Sequence, residues 1–185
     1  MLELVINSAE MWDEKNEIFI EVPSVILRLE HSLISLSKWE SKWKKPFLKT
    51  FSDINTVKQD EWLDYLKCMT ITSNVSPTVY AALTQKQVRE VFTYINDPMT
   101  ATWFSKETKK QTKRGKEITA EIIYFKMTYF GIPFECEKWH LNRLMTLIRV
   151  CEEMSAPPKK MGKREGAISN TQLNAARRRK LGSRG

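Results

Sequence analysis

Two cysteines and a histidine in the second half of the sequence carry the side chains that metal sites use. Cys136, His140 and Cys151 follow one another at spacings of 4 and 11 residues, so a helix over about residues 135–154 places them on nearly one face. A zinc ion needs three or four such ligands within bonding distance. An α-helix rises about 1.5 Å per residue, which puts Cys151 about 16 Å along the axis from His140. We therefore predict no metal site here and interpret the three side chains as a buried helix stripe.

Cys136 and His140 also have the i, i+4 spacing at which a thiol and an imidazole approach each other on a helix. Nucleophilic catalysis further requires a group that orients the base and donors that stabilise an oxyanion. The chain has only two histidines, and its sequence contains no phosphate-binding glycine loop and no nucleophile-elbow motif. The sequence therefore predicts a non-catalytic protein without a cofactor.

A tryptophan pair offers a different kind of contact. Trp39 and Trp43 lie one helical turn apart in KWESKWKK (38–45). Aromatic rings interleaved with basic residues are typical of surfaces that stack single-stranded nucleic acid, whereas exposed tryptophans also anchor protein–protein contacts. The alternative, which the helical spacing favours, is that both rings pack inward while the lysines stay in solvent. Trp39 and Trp43 are candidate partner-binding residues only if they are exposed.

Positive charge is concentrated at the C-terminal end of the chain, whose net charge is +8. Residues 157–185 hold nine basic residues and one acid and so carry this whole charge, while residues 1–156 balance 21 basic against 21 acidic residues. This segment, like the basic run at 106–116, suits nucleic acid, an acidic protein partner, or solvation alone. No aromatic residue adjoins the arginine run, which favours a protein partner. The candidate partner-binding residues are Leu173, Ala176, Arg177, Arg178, Arg179 and Lys180.

Composition indicates a globular body without structural disulfides. The chain has 185 residues, of which 42% are hydrophobic, enough for a core of one domain. Its three cysteines have no close pair, which is typical of free thiols in a reducing cytoplasm. No apolar stretch approaches the roughly 20 residues that span a bilayer. We expect a soluble intracellular protein with no membrane contact.

Hydrophobic periodicity predicts an α+β fold. Alternating apolar residues over the first 30 positions favour a small antiparallel sheet of two or three strands. Residues 31–156 then show helical spacing in about five segments, with start signals at Thr56, Ser76 and Thr84. Apolar residues nearly all round 118–130 predict a central helix. Residues 157–185 form a basic tail that is disordered, or helical on binding, because its isolated helix at about 170–181 is marginal in water.

Several stretches together resemble one group of proteins. They are LEHSLISLSKWESKWKKPFL (29–48), DYLKCMTIT (64–72), DPMTATWF (97–104), GIPFECEKWHLNRLMTLIRVC (131–151), PPKKMGKREG (157–166) and LNAARRRKL (173–181). The group is that of the tail assembly chaperones of long-tailed, non-contractile bacteriophages and related prophages. The likeness spans most of the chain.

The resemblance implies a non-catalytic protein that binds the long helical tape measure protein, keeps it soluble and recruits tail tube subunits around it. It also implies a location in the host cytoplasm and absence from the mature virion. Many such chaperones have a longer, frameshifted form, of which this chain would be the shorter counterpart. Two alternatives stay open at this point: a head–tail or neck component that remains in the virion, and a basic nucleic-acid-binding accessory protein. The sequence also leaves homo-oligomerisation open.

Overall fold

The computed structural model describes residues 1–13, 17–52, 57–104, 117–156 and 163–182, and it has an α+β fold, as predicted. Antiparallel strands at the N-terminus precede a mostly helical body. The chain divides into two compact units, Met1–Cys151 and Glu152–Gly185. The division falls five residues before the predicted boundary at 156, within the last helix of the body.

Four strands form two antiparallel pairs: β1 (Leu2–Ile6) pairs with β4 (Val25–Leu29), and β2 (Ala9–Asp13) pairs with β3 (Ile18–Val22). The two pairs share one register, because Ile6 lies opposite Val25 and Ala9 lies opposite Val22. They are therefore successive sections of a single β-ribbon. Ser24 joins the sections by donating its hydroxyl to the Ile6 carbonyl.

At the junction between the two sections, the ribbon changes which of its two faces packs against the core. Even-numbered Leu4 and Ile6 of β1 are buried, whereas in β2 odd-numbered Met11 packs against the core and even-numbered Trp12 is exposed. Side chains alternate between the two faces of a strand, so this switch requires the ribbon to turn over. Pro23 lies in the junction, where its fixed φ and missing N–H disfavour continuous pairing.

The described part of the chain contains eight α-helices and one 3₁₀ helix, and seven of the α-helices lie within residues 31–156, where about five were predicted. The α-helices are α1 (Leu33–Trp43), α2 (Phe47–Thr50), α3 (Gln59–Met69), α4 (Pro77–Ala81), α5 (Gln85–Asn96), α6 (Ala120–Tyr129), α7 (Leu141–Ser155) and α8 (Lys163–Leu181), and the 3₁₀ helix is Phe134–Lys138. None of the helices within those described ranges has the length and apolar character needed to cross a membrane.

Two of the predicted helix starts are confirmed. Ser76 accepts a hydrogen bond from the Thr78 N–H at the start of α4, where Pro77 is the first helical residue. Thr84 accepts the Gln87 N–H, and the Gln87 side chain accepts the Thr84 N–H in return, which is a capping box. The third start, Thr56, lies outside the described residues.

The predicted continuous helix over residues 135–154 is wrong. The 3₁₀ helix ends at Lys138, and α7 begins at Leu141. In between, His140 forms an isolated antiparallel bridge with Ser32, and the Leu141 N–H donates to the His31 carbonyl at 2.8 Å. These backbone bonds need an extended conformation at residue 140, so they interrupt the helix.

The core lies where α1 packs against α3 and α6. The ring centroids of Trp39 and Phe47 are 5.5 Å apart, and those of Phe47 and Tyr65 are 4.2 Å apart. The end of β4 joins the end of α3, because the Glu30 N–H donates to the Met69 carbonyl and the Ile71 N–H donates to the Arg28 carbonyl. The ribbon and the helical layer therefore share one hydrophobic core.

Candidate functional site

Trp39 is not a surface anchor, which corrects its candidacy as a partner-binding residue. Its side chain has no exposed surface, and its indole N–H donates to the Glu61 carbonyl at 2.9 Å. This bond satisfies the only polar group of the ring, so Trp39 is a buried core residue with no surface left for a partner.

Trp43 is half-buried and stacks on Trp39, with ring centroids 6.2 Å apart. Its indole N–H donates to the Asp64 carboxylate at 3.2 Å, and the Lys45 ammonium lies 5.8 Å from the ring. Trp43 therefore contacts Trp39, Asp64 and Lys45 of the same chain. The tryptophan pair therefore supports the inward-packing alternative more than a nucleic-acid stacking surface.

Cys136, His140 and Cys151 do not share one α-helix. Cys136 is buried in the 3₁₀ helix, His140 lies in the bridge before α7, and Cys151 is partly buried in α7. Within the described ranges, no group of three His, Cys, Asp or Glu side chains is placed to hold a metal ion. The i, i+4 geometry proposed for a Cys136–His140 pair is also lost with the helix break.

Instead, the fold brings the two histidines together. The rings of His31 and His140 lie 5.0 Å apart in an edge-to-face arrangement. Tyr65 and Tyr94 complete the cluster: the Tyr65 hydroxyl lies 2.5 Å from His31 Nδ1, and His140 Nε2 donates to the Tyr94 carbonyl at 2.9 Å. The cluster ties the start of α1 to α3, α5 and the start of α7.

Burial decides the protonation states in this cluster. Desolvation, with a smaller contribution from His140, lowers the pKa of His31 to about 3. Burial also raises the pKa of the Tyr65 hydroxyl well above its usual range. The Tyr65 hydroxyl therefore keeps its proton and donates a hydrogen bond to a neutral imidazole. His140 Nδ1 is buried with no hydrogen-bond partner, and desolvation lowers the pKa of His140 as well. We interpret the cluster as structural: it holds the start of α1 against α3, α5 and the start of α7.

The basic candidate residues lie on α8 and are exposed. Leu173 is 51% exposed, and Ala176, Arg177, Arg178, Arg179 and Lys180 are exposed as well. α8 is longer than the segment predicted from the sequence, since it begins at Lys163. Basic side chains in its last turn interact favourably with the C-terminal end of the helix dipole. The structure therefore shows that these residues are exposed to solvent and that the basic ones lie where they stabilise their own helix.

A surface that the sequence analysis missed runs along α6. Ala120, Ile123 and Met127 are buried at i, i+3, i+7 spacing. A second set with the same spacing, Ile122, Phe125 and Tyr129, lies on another side of the helix and is here called the outer stripe of α6. Phe125 is 68% exposed and Tyr129 is 72% exposed, and their rings stack at 6.2 Å.

The all-round apolar pattern of residues 118–130 predicted a central helix, but among the described residues α6 buries Ala120, Ile123 and Met127 on one side and leaves Phe125 and Tyr129 exposed on another. The sequence signal for this surface was the number of apolar side chains in residues 118–130, which exceeds what one buried stripe needs. A helix that needs only one stripe for the core has no folding reason for a second aromatic stripe, and exposed apolar patches of this kind mark interaction sites.

The chain has no counterpart among the proteins with which it was compared. No protein-family model, no curated protein and no solved structure matches it.

Proposed function

We propose that this protein is a non-catalytic tail assembly chaperone of a long-tailed, non-contractile bacteriophage or prophage. It binds the tape measure protein and recruits tail tube subunits in the host cytoplasm, and it is absent from the mature virion. The sequence stretches described above motivate the choice of this class. The observation that carries the proposal is the outer stripe of α6, whose two aromatic rings remain exposed in the described part of the chain.

The outer stripe suits a helical partner. Phe125 and Tyr129 are one turn apart, and their stacked rings present a continuous ridge. Such ridges pack into the groove of a second helix, and aromatic anchors dominate the binding energy of protein interfaces. The resemblance implies that the tape measure protein is a long helix, which is the kind of partner that such a ridge fits, and that the chaperone keeps it soluble while tail tube subunits are recruited around it.

Co-expression with the tape measure protein of the same phage tests this function. We expect the tape measure protein to stay soluble and to co-purify with the chain, and to aggregate when expressed alone. A tape measure protein that is equally soluble without the chain, and does not co-purify with it, contradicts the proposal.

The composition of purified virions separates a chaperone from a structural head–tail component. We expect mass spectrometry to detect the protein in infected cells and not in virions. Stoichiometric recovery from virions would instead identify it as a component of the particle.

A further inference from the structure

One face of the β2–β3 hairpin carries four side chains that no part of the described fold covers. Trp12 lies opposite Phe19, and Glu10 lies opposite Glu21. Directly opposed residues, and residues two apart on a strand, project from the same side of a sheet. All four side chains therefore form one surface, the hairpin face, while Val22 projects from the other side and is buried.

The aromatic half of the hairpin face is exposed to solvent. Trp12 and Phe19 are 48% and 68% exposed, and their rings pack edge to face at 4.9 Å. The pair stabilises the hairpin, yet it leaves large ring surfaces uncovered. Exposed aromatic surface beside polar residues is typical of an interaction site.

The acidic half of the face is unfavourable for the isolated hairpin. Glu10 and Glu21 are both exposed and directly opposed, and like charges in that position destabilise a strand pair. None of the ion pairs found in the described ranges involves either residue. A cation placed between the two carboxylates would remove the repulsion.

The chemistry of the face selects a guanidinium group. Two carboxylates accept the paired N–H groups of arginine, and the face of an indole ring attracts the same planar cation. The next residue pair on the same side of the hairpin, Trp12 and Phe19, supplies that indole. The face therefore fits a segment that presents several arginines, better than it fits a single lysine.

The last turns of α8 have this chemistry. Arg177, Arg178, Arg179 and Lys180 are consecutive and exposed, and steps of about 100° per residue distribute them round the whole helix. In the described part of the chain no ion pair includes any of them. Their four positive charges complement the two carboxylates of the hairpin face.

We infer that the hairpin face binds the basic end of α8 from a second copy of this chain. Each copy carries both surfaces, so two copies exchange the contact reciprocally, as in a twofold-symmetric dimer. The association is electrostatic in part and weakens as the salt concentration rises. It uses a surface other than the outer stripe of α6 and does not depend on the proposed function.

Sedimentation velocity of the full chain over a dilution series tests the inference. We expect a monomer–dimer equilibrium that shifts to monomer at high salt. Trp12→Ala/Phe19→Ala and Glu10→Arg/Glu21→Arg should each weaken dimerisation about tenfold or more, because like-charge contacts and lost aromatic anchors are costly at interfaces. The matched control is Glu90→Arg/Glu135→Arg, which reverses two exposed acids elsewhere and should leave the equilibrium unchanged.

Charge exchange between two variants distinguishes contact in trans from contact within one chain. Glu10→Arg/Glu21→Arg and Arg177→Glu/Arg178→Glu/Arg179→Glu should each be monomeric alone. Their equimolar mixture should form the dimer again, since each copy then meets an oppositely charged surface on the other. Both variants keep a positive net charge, so general attraction does not explain their pairing.

Four results would overturn the inference. The first is a wild-type chain that is monomeric at every concentration. The second is a pair of hairpin variants that dimerise as well as the wild type. The third is an equimolar mixture of the charge-exchanged variants that remains monomeric, while the wild type is a compact monomer at low salt. A dimer that depends on Phe125 and Tyr129 instead of the hairpin face would likewise contradict it. Loss of dimerisation with intact tape measure binding would leave the proposed function standing.

Discussion

At the scale of single residues, His31 shows how burial sets charge. The residue is 2% exposed, and His31 Nδ1 accepts a hydrogen bond from the Tyr65 hydroxyl. The pKa of about 3 means that the folded protein holds this imidazole neutral at any pH near neutrality. Protonation of His31 is therefore much less favourable in the folded protein than in the unfolded chain.

Acid should destabilise the fold through His31. In the unfolded chain its imidazole titrates near pH 6.5, whereas the folded pKa is lowered, so below pH 6.5 the unfolded state binds a proton that the folded state does not. The free energy of unfolding should fall by about 1.4 kcal/mol per pH unit from this residue, from pH 6.5 towards pH 3, with no change above pH 6.5. Urea denaturation at several pH values measures this slope.

His31→Gln isolates the contribution, because the glutamine amide keeps an acceptor for the Tyr65 hydroxyl and does not titrate. We expect a flatter decline in stability between about pH 6 and pH 5, where most carboxylates are still ionised. Parallel pH profiles for the variant and the wild type would show that His31 is not held neutral by the fold.

At the scale of elements, one carboxylate connects three helices. Glu40, near the end of α1, is 8% exposed. One of its oxygens accepts the Phe47 N–H at 2.7 Å and the other accepts the Ala120 N–H at 2.8 Å. These are the first residues of α2 and α6, whose N–H groups have no partner within their own helices. Glu40 therefore fixes both helix starts against α1.

Glu40→Ala should cost about 2–4 kcal/mol of unfolding free energy, because it leaves two buried N–H groups without acceptors. Glu40→Gln should cost less, since its amide oxygen retains one of the two bonds. The matched control is Glu90→Gln on the exposed side of α5, expected within about 0.5 kcal/mol of wild type. Equal stabilities for Glu40→Ala and the control in urea denaturation would contradict this role.

The sequence predicted elements well where their signals are local. The Thr84–Gln87 capping box and the Ser76–Pro77 start depend on residues a few positions apart, and both are confirmed. The break before α7 was missed because it depends on the backbone pairing of His140 with Ser32, which is distant in the sequence. The partnership of Glu40 with Ala120 was missed for the same reason.

At the scale of the whole molecule, the α+β class was predictable because it follows from hydrophobic periodicity and from the order of the segments. The sequence did not predict which apolar side chains remain outside the core. Trp39 and Phe125 both lie in helices with apolar spacing, yet one is fully buried and the other is 68% exposed. That outcome depends on which helix faces have a packing partner, a property of the tertiary arrangement. The sequence-derived candidates on α8 are exposed, whereas Trp39 is excluded.

The central claim is that the outer stripe of α6 binds the tape measure protein, and the affinity of a Phe125→Ala/Tyr129→Ala variant for that protein tests it most directly. Both side chains are exposed, so the variant should fold normally and its melting temperature checks this. Trp103→Ala removes a ring that is 92% exposed elsewhere on the body and is the matched control. We predict at least about a 30-fold loss of affinity for the α6 variant, equivalent to about 2 kcal/mol at an interface hot spot, and no loss for the control. Equal affinities for the wild type and the α6 variant would contradict the claim.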